Sequence, residues 1–390
     1  MNLVIILLSS LLILIIAIGI IESYYHQYYL GKIPIRIHVN GARGKSSVTR
    51  LIASGIRESG KKVLAKTTGS SPRIIDKEGR DIAIHRLRSA SIGEQVRLIR
   101  TFAKQDIDIL IIECMAVQPQ YQWISEQKMI KSSIGVITNV RPDHLDEMGY
   151  TMNDIAMSLS NSIPSNGTLV VHDDPFSNLF KKVASKRNTR LKISENNIVD
   201  EKYMKKFNYF EHQDNVELAL SVCEEVGVSR EVALKGILKN NPDPGALVIW
   251  KTKIKKSINY FVSAFAANDP QSTLDIYNKI SNYHNDLSKC IFLNTRSDRQ
   301  YRTIQLLSLI YDKIVPDKLI VRGDKLDSMI SKYDFEAKGI EVIRFSDDSK
   351  PKTIIDVIGS FEQSITFGIG NIVGWGDDFV KQIKEFKIND

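Results

Sequence analysis

Gly41-Ala42-Arg43-Gly44-Lys45-Ser46-Ser47 has the composition of a phosphate loop. Glycines let a backbone wrap an anion, a following helix offers free N–H groups, and Lys45 adds positive charge. Ser46 places a hydroxyl where Mg²⁺ bridges the β- and γ-phosphates of a nucleotide. The general P-loop carries four residues between its glycines, whereas here only Ala42 and Arg43 separate Gly41 from Gly44. The same string also suits an ordinary strand-to-helix turn, so its context has to decide. A Mg-nucleotide site also needs hard oxygen ligands near the γ-phosphate. Glu113 closes the apolar run Ile107–Ile112, and Asp143-His144-Leu145-Asp146 follows the run Ile134–Val140. Taken singly, a strand-end carboxylate is often a helix cap, and a loop histidine is usually solvated.

The elements around these residues bring them together. Ile33–Val39 alternates as a strand, and Ser46–Ser59 reads as a helix with Gly60 beyond its end. Val63–Ala65 and Leu169–Val171 are short strands, and Ile107–Ile112 and Ile134–Val140 are mostly apolar, interrupted only by Asp108 and by Thr138 and Asn139, as buried parallel strands are. Strands alternating with helices imply βαβ units and a mostly parallel sheet. The carboxyl ends of such strands meet at one rim, which would gather Lys45, Glu113 and His144. The Pro/Gly cluster Asn241-Pro242-Asp243-Pro244-Gly245 marks a boundary. Beyond it the pattern restarts at Asn259–Ser263, Cys290–Leu293, Lys318–Val321, Ile340–Ile343 and Ile365–Phe367, giving a second, smaller α/β domain.

Leu3–Ile21 is an apolar run without a charge. At 1.5 Å per residue it spans about 28 Å, close to the thickness of a bilayer core. Tyr24, Tyr25, Tyr28 and Tyr29 follow as interfacial aromatics would, then Lys32 and Arg36. The expectation is a single-pass inner or plasma membrane anchor with the catalytic domains in the cytoplasm. A cleaved signal peptide fits less well, because no basic residue precedes the run and it ends in Ile20-Ile21-Glu22.

The net charge of +8 on 390 residues is mild. Without a Lys/Arg block or a nucleic-acid-binding pattern, it gives no reason to expect nucleic acid as a partner. Cys114, Cys223 and Cys290 are scattered and odd in number, which excludes a disulfide framework and a four-cysteine zinc site.

At this point the chain resembles the Mur ligase and folylpolyglutamate synthase superfamily. The shared features are the short GxxGKS loop, the strand-end Glu113, Asn139–Asp146 with its D-H-L-D ending, and His212–Ala219. It is more similar still to the membrane-anchored ligase subunits of poly-γ-glutamate synthases. That likeness is carried by Lys66–Gly69, Glu113–Val117, Pro242–Ala246, Phe265–Asp269 and Gly368–Ile372. The resemblance implies an α/β architecture with an N-terminal transmembrane helix, a central P-loop ATPase domain with a mostly parallel sheet, and a smaller Rossmann-like C-terminal domain. The corresponding bounds are 1–22 for the anchor, 23–33 for a juxtamembrane linker, 34–245 for the ATPase domain and 246–390 for the C-terminal domain.

The resemblance also implies roles. Lys45 and the backbone from Gly41 to Ser47 would hold the β- and γ-phosphates of ATP, and Ser46 would ligate one Mg²⁺. Glu113 and His144 would hold a second Mg²⁺, Asn215 would meet the adenine, and Asp269 the ribose. The reaction would be ATP-dependent amide ligation through an acyl-phosphate, extending poly-γ-glutamate with glutamate, with the second domain closing near Gly245. Small membrane subunits of a synthesis and export complex would be partners, and a homo-oligomer is compatible with the pattern. Polar clustering alone nominates Thr67, Thr68, Asn294, Arg296 and Arg299 for substrate; the two arginines read equally well as solvated. The sequence departs from the pattern twice. Met157-Ser158-Leu159 lacks the lysine that many Mur ligases carry there, and Ala246 replaces the hinge arginine, for which Arg43 is a candidate substitute. The competing readings are a membrane-tethered P-loop kinase or ATPase, a nucleotide-gated scaffold and a folylpolyglutamate synthase.

Overall fold

The computed structural model describes residues 2–68, 72–84, 91–204, 206–207, 209, 211–242, 247–265, 267, 270–297, 300–324 and 326–388. They form two compact units, Met1–Lys206 with Glu211–Asn241, and Phe207–Phe210 with Pro242–Asp390.

The first unit opens with α1 (Asn2–Gly31), one unbroken helix. Its apolar part has a mean hydropathy of 3.3 and is 0% buried, long and apolar enough to cross a membrane. Beyond Glu22 its character changes. Residues 23–31, read from the sequence as a linker, continue the helix because they dock. Leu30 and Ile33 enter a core cluster with Ile99, Phe102, Leu110 and Ile130. A ring nitrogen of His26 lies 2.7 Å from the Met129 carbonyl. Arg36, expected as a juxtamembrane charge, is a clamp. Its guanidinium donates to the carbonyls of Leu30 and Ile33 (3.1 and 2.7 Å) and of Ile130 and Lys131 (3.0 and 2.8 Å).

The first sheet has eight strands. They are β1 (Ile35–Asn40), β2 (Val63–Thr67), β3 (Arg73–Ile75), β4 (Asp81–Ala83), β5 (Ile109–Glu113), β6 (Ile134–Ile137), β7 (Thr168–Val171) and β8 (Arg190–Ile193). Their order is β4-β3-β2-β5-β1-β6-β7-β8. All pairs are parallel except β2–β3 and β3–β4, which form an antiparallel edge. β2, β5, β6 and β7 are buried along their whole length, which explains their largely apolar sequences. Helices α2 (Lys45–Arg57) and α3 (Glu94–Phe102) carry chemistry-bearing residues at their first turns. Val48–Ile56 of α2 are all buried, where the helix packs against the helices Gln213–Glu225 and Arg230–Leu238.

Two buried ion pairs fasten helical segments to this sheet. His38 Nδ1 on β1 lies 2.7 Å from Glu126 Oε2, which also accepts from the Ser132 hydroxyl. Burial opposes a charge on His38, but the Cys114 sulfur and the Glu126 carboxylate outweigh it and raise the imidazole to about 10. Lys66 Nζ on β2, fully buried, lies 2.8 Å from Glu94 Oε1 at the start of α3. Extra hydrogen bonds of this kind offset the desolvation of buried charge.

The second unit holds β9 (Val248–Ile254), β10 (Ser257–Ser263), β11 (Ser288–Asn294), β12 (Lys318–Arg322), β13 (Glu341–Phe345) and β14 (Ser364–Gly370). The order is β13-β12-β11-β14-β10-β9, parallel except for the β9–β10 hairpin. One face is covered by an aliphatic cluster around Leu293, Leu307 and Val321, and the other by an aromatic one around Phe261, Phe292 and Phe379.

Ile33 is fully buried where α1 enters the body. Ile33→Ala is expected to cost about 2–5 kcal/mol and to lower the thermal midpoint of the full chain in detergent by roughly 5–15 °C. An unchanged midpoint in a fluorescence melt would show that α1 is not docked in this way.

Candidate active site

The phosphate loop leaves β1 at the middle of the sheet and enters α2, flanked by the ends of β5 and β6. Gly41 has φ +137° and Gly44 φ +79°, both positive. A Cβ on Gly41 would stand 2.0 Å from Thr138 Oγ1 and 2.8 Å from the Thr138 nitrogen, so only glycine fits this close approach. The β6 end grips the loop. Thr138 Oγ1 donates to the Arg43 carbonyl (2.6 Å), and Asn139 makes a two-way bond with the Arg43 backbone (3.0 Å each way). The Ala42 N–H donates to the Asn139 carbonyl at 3.1 Å. The Arg43 side chain reaches Asp143 at 3.4 Å.

Lys45 folds back over the loop it would share with a phosphate. Its ammonium donates to the carbonyls of Gly41 (2.7 Å) and Ala42 (3.1 Å). Ser46 Oγ donates to Glu113 Oε2 at 2.9 Å, and the Thr68 N–H donates to the same oxygen at 2.6 Å. Glu113 is buried, with 2% exposure. A hydroxyl and a carboxylate this close form a set of oxygen donors that suits a hard cation such as Mg²⁺. The structure therefore brings Lys45, Ser46 and Glu113 to one place, and Thr68 with them.

His144 sits at the head of the short helix Leu145–Met148 in a left-handed conformation, φ +48°. Its side chain is half exposed and lies 3.9 Å from Asp143 and 4.0 Å from Glu147. Among the described residues, no group of three or more His, Cys, Asp or Glu side chains is arranged to hold a metal ion. Ser158, in the stretch without the lysine, accepts from Gln122 at 3.0 Å, and Gln122 accepts from Asn40 at 2.9 Å.

Asn215 lies against the loop: a Cβ on Gly44 would stand 2.8 Å from its Oδ1. Its Nδ2 donates to Glu211 Oε1 at 2.8 Å, and the His212 N–H donates to the same oxygen at 3.0 Å. Thr67 is buried at the end of β2, and its hydroxyl has no hydrogen-bond partner among the described residues. In the second unit, Asn294 is buried with both ends of its amide engaged, by Asn371 (2.6 Å) and Arg322 (3.1 Å). Arg296 is half-buried just beyond β11. Gly69, Asp243–Ala246, Asp269 and Arg299 lie outside the described residues.

Sequence reasoning named Asp143 and Asn215 but missed Thr138, the Arg43–Asp143 contact and Glu211 as the partner of Asn215. Asn139 opened a recognised segment, but nothing in its spacing announced a loop clamp. Glu211 offered only its place beside His212, because burial in the folded chain leaves no mark on the local sequence.

Burial is the main cause that raises the Glu211 carboxyl from its ordinary 4.5 to about 7, against hydrogen bonds from Asn215 and His212. A carboxyl whose pKa is raised on folding contributes stability that is full below 4.5 and lost as pH rises through about 7. Glu211→Gln should therefore flatten the fall in thermal midpoint between pH 5 and 7.5. Parallel wild-type and variant profiles over that window would contradict the burial argument.

A family model of the Mur ligase middle domain matches residues 39–240, and one of the poly-gamma-glutamate synthase CapB C-terminal domain matches residues 249–386. The capsule biosynthesis protein CapB of Bacillus anthracis is 37% identical over 95% of this chain and 81% of its own length. The PGA synthase CapB of Bacillus subtilis (strain 168) is 34% identical over 96% of each. The crystal structure of folylpolyglutamate synthase from Thermotoga maritima superposes with a TM-score of 0.66 at 16% identity, covering 94% of both chains, a likeness of fold. With identity of this order sustained along nearly its whole length, the chain belongs to the CapB family of poly-γ-glutamate synthases, which carries a Mur ligase middle domain.

Proposed function

We propose that this protein is the ATP-dependent, ADP-forming ligase that makes poly-γ-glutamate. The observation that carries the reading is the Ser46–Glu113 contact of 2.9 Å at the mouth of a glycine loop, with the Lys45 ammonium beside it. A pure scaffold needs no such oxygen donor pair.

A carboxylate is a poor electrophile, so a glutamyl carboxylate on the growing chain first takes the γ-phosphoryl group of ATP, and ADP leaves. Lys45 exchanges its bonds to the Gly41 and Ala42 carbonyls for phosphate oxygens and balances the charge that develops there. The amine of the incoming glutamate then attacks the acyl carbon and loses a proton. The tetrahedral intermediate collapses to an amide and releases inorganic phosphate. Ser46 is the proposed ligand of one Mg²⁺, and Glu113 with His144 of a second; the ions would supply Lewis-acid stabilisation of the phosphoryl group. Glu113, buried and held by Thr68, keeps the Ser46 hydroxyl directed at that position. Asn215, fixed by Glu211 beside Gly44, is the proposed adenine contact. Asp269 is the proposed ribose contact, and Thr67, Thr68, Asn294, Arg296 and Arg299 are the residues proposed for substrate.

α1 is proposed as a single-pass anchor that holds synthesis at the inner or plasma membrane, with both units in the cytoplasm and small membrane subunits as partners. Its 0% buried apolar window supports this.

The test is ADP release by the detergent-purified chain with ATP and Mg²⁺, a short glutamyl primer and membrane partners, with and without L- or D-glutamate. Glutamate should stimulate release, and Lys45→Ala should lower the stimulated rate by about 10²–10³-fold. His144→Ala should also remove the stimulation. ATP turnover indifferent to every amino acid, with phosphate appearing on protein, would favour a kinase and contradict the ligase.

A further inference from the structure

The boundary between the exposed and docked parts of α1 coincides with a groove of about 540 Å³. It is lined by Gly19, Glu22 and His26 of α1, by Arg97 and Arg100 of α3, and by Lys128. Among the described residues that line it, Glu22 is the only carboxylate against those three cationic side chains. The Arg97 guanidinium has no hydrogen-bond or ion-pair partner among the described residues. Arg100 reaches Glu22 at 3.3 Å, but its Nε is buried without a partner. His26 is buried, with 6% exposure, and its Nδ1 has no partner while its other ring nitrogen bonds Met129. Lys128 stands 5.4 Å over the half-exposed Trp123 ring. The groove thus holds surplus positive charge and two buried polar atoms without partners.

Its position selects the ligand class. Gly19 is at the end of the apolar run and Glu22 just past it, so the groove opens where a bilayer's hydrocarbon gives way to headgroups. Tyr24, Tyr25 and Tyr28 are exposed on the same stretch of helix, as residues of an interfacial belt are. A phosphodiester at this depth can meet Arg97, Arg100 and Lys128, while its acyl chains lie along the exposed Ile and Leu side chains of α1. Guanidinium pairs suit phosphate geometry, and basic side chains near an anionic surface attract acidic lipid.

We infer that this groove is a binding site for one anionic glycerophospholipid headgroup, occupied when α1 is in the membrane. The inference rests on the reading of α1 as an anchor and goes beyond the ligation chemistry, since no residue of the groove belongs to the phosphate loop.

The test is native mass spectrometry of the full chain in detergent with equimolar phosphatidylglycerol and phosphatidylcholine of matched acyl chains. Phosphatidylglycerol adducts should exceed phosphatidylcholine adducts by at least about fivefold, the effect of roughly one basic side chain at an acidic membrane surface. Arg97→Gln with Lys128→Gln should bring the ratio to about 1 without lowering the thermal midpoint, and Arg100→Lys should retain the preference. Equal adducts in the wild type, or an undiminished preference in the double variant, would overturn the site. So would displacement of the lipid by millimolar inorganic phosphate or by soluble poly-γ-glutamate, which would point to an anion site unrelated to the membrane. Flotation with pure phosphatidylcholine vesicles separates the two readings. A chain that floats without headgroup preference overturns the lipid site alone, whereas a chain that stays in solution overturns the anchor and the site together.

Discussion

The catalytic unit is organised around one buried carboxylate. Glu113 ends β5 between β1 and β2 and accepts from both the first turn of α2 and the backbone after β2. A buried carboxylate is costly unless its oxygens are satisfied, and hydrogen bonds to a charged acceptor are among the stronger ones. The same bonds that make Glu113 tolerable fix the Ser46 hydroxyl relative to the sheet. The loop preceding Ser46 is held from the other side by Thr138 and Asn139 at the end of β6. Three adjacent parallel strands therefore determine the shape of the phosphate loop.

Much of this was legible in the sequence because parallel topology leaves a simple record. Fully buried strands read as apolar runs, and a residue directly after such a run must emerge at the carboxyl rim. Glu113 and the Gly41–Ser47 loop could be placed on that rule. The edge strands could not: β3 and β4 are three residues each, β8 has no buried position, and β9 mixes exposed with buried ones. Arg36 shows another limit. A basic residue after an apolar helix suggests a membrane-flanking charge, yet four carbonyls from separate segments make it a clamp. Glu211 was invisible for a related reason, since its raised pKa comes from burial that only the folded chain provides.

The N-terminal helix is part of the body of the first unit through its docked end. Its docked end shares a core cluster with α3, and α3 is joined to β2 by the buried Lys66–Glu94 pair. β2 in turn lies beside the strand that carries Glu113. A flexible linker would leave the catalytic rim free to turn relative to the bilayer. A docked helix would fix that orientation, in keeping with the anchor proposed for α1.

The proposed ligation depends on ATP being used to activate a carboxylate. The most direct measurement supplies a glutamyl primer whose terminal carboxylates carry ¹⁸O and follows the released phosphate by mass spectrometry. An acyl-phosphate route predicts one ¹⁸O atom in phosphate for every amide bond formed. Amide formation with unlabelled phosphate would contradict it.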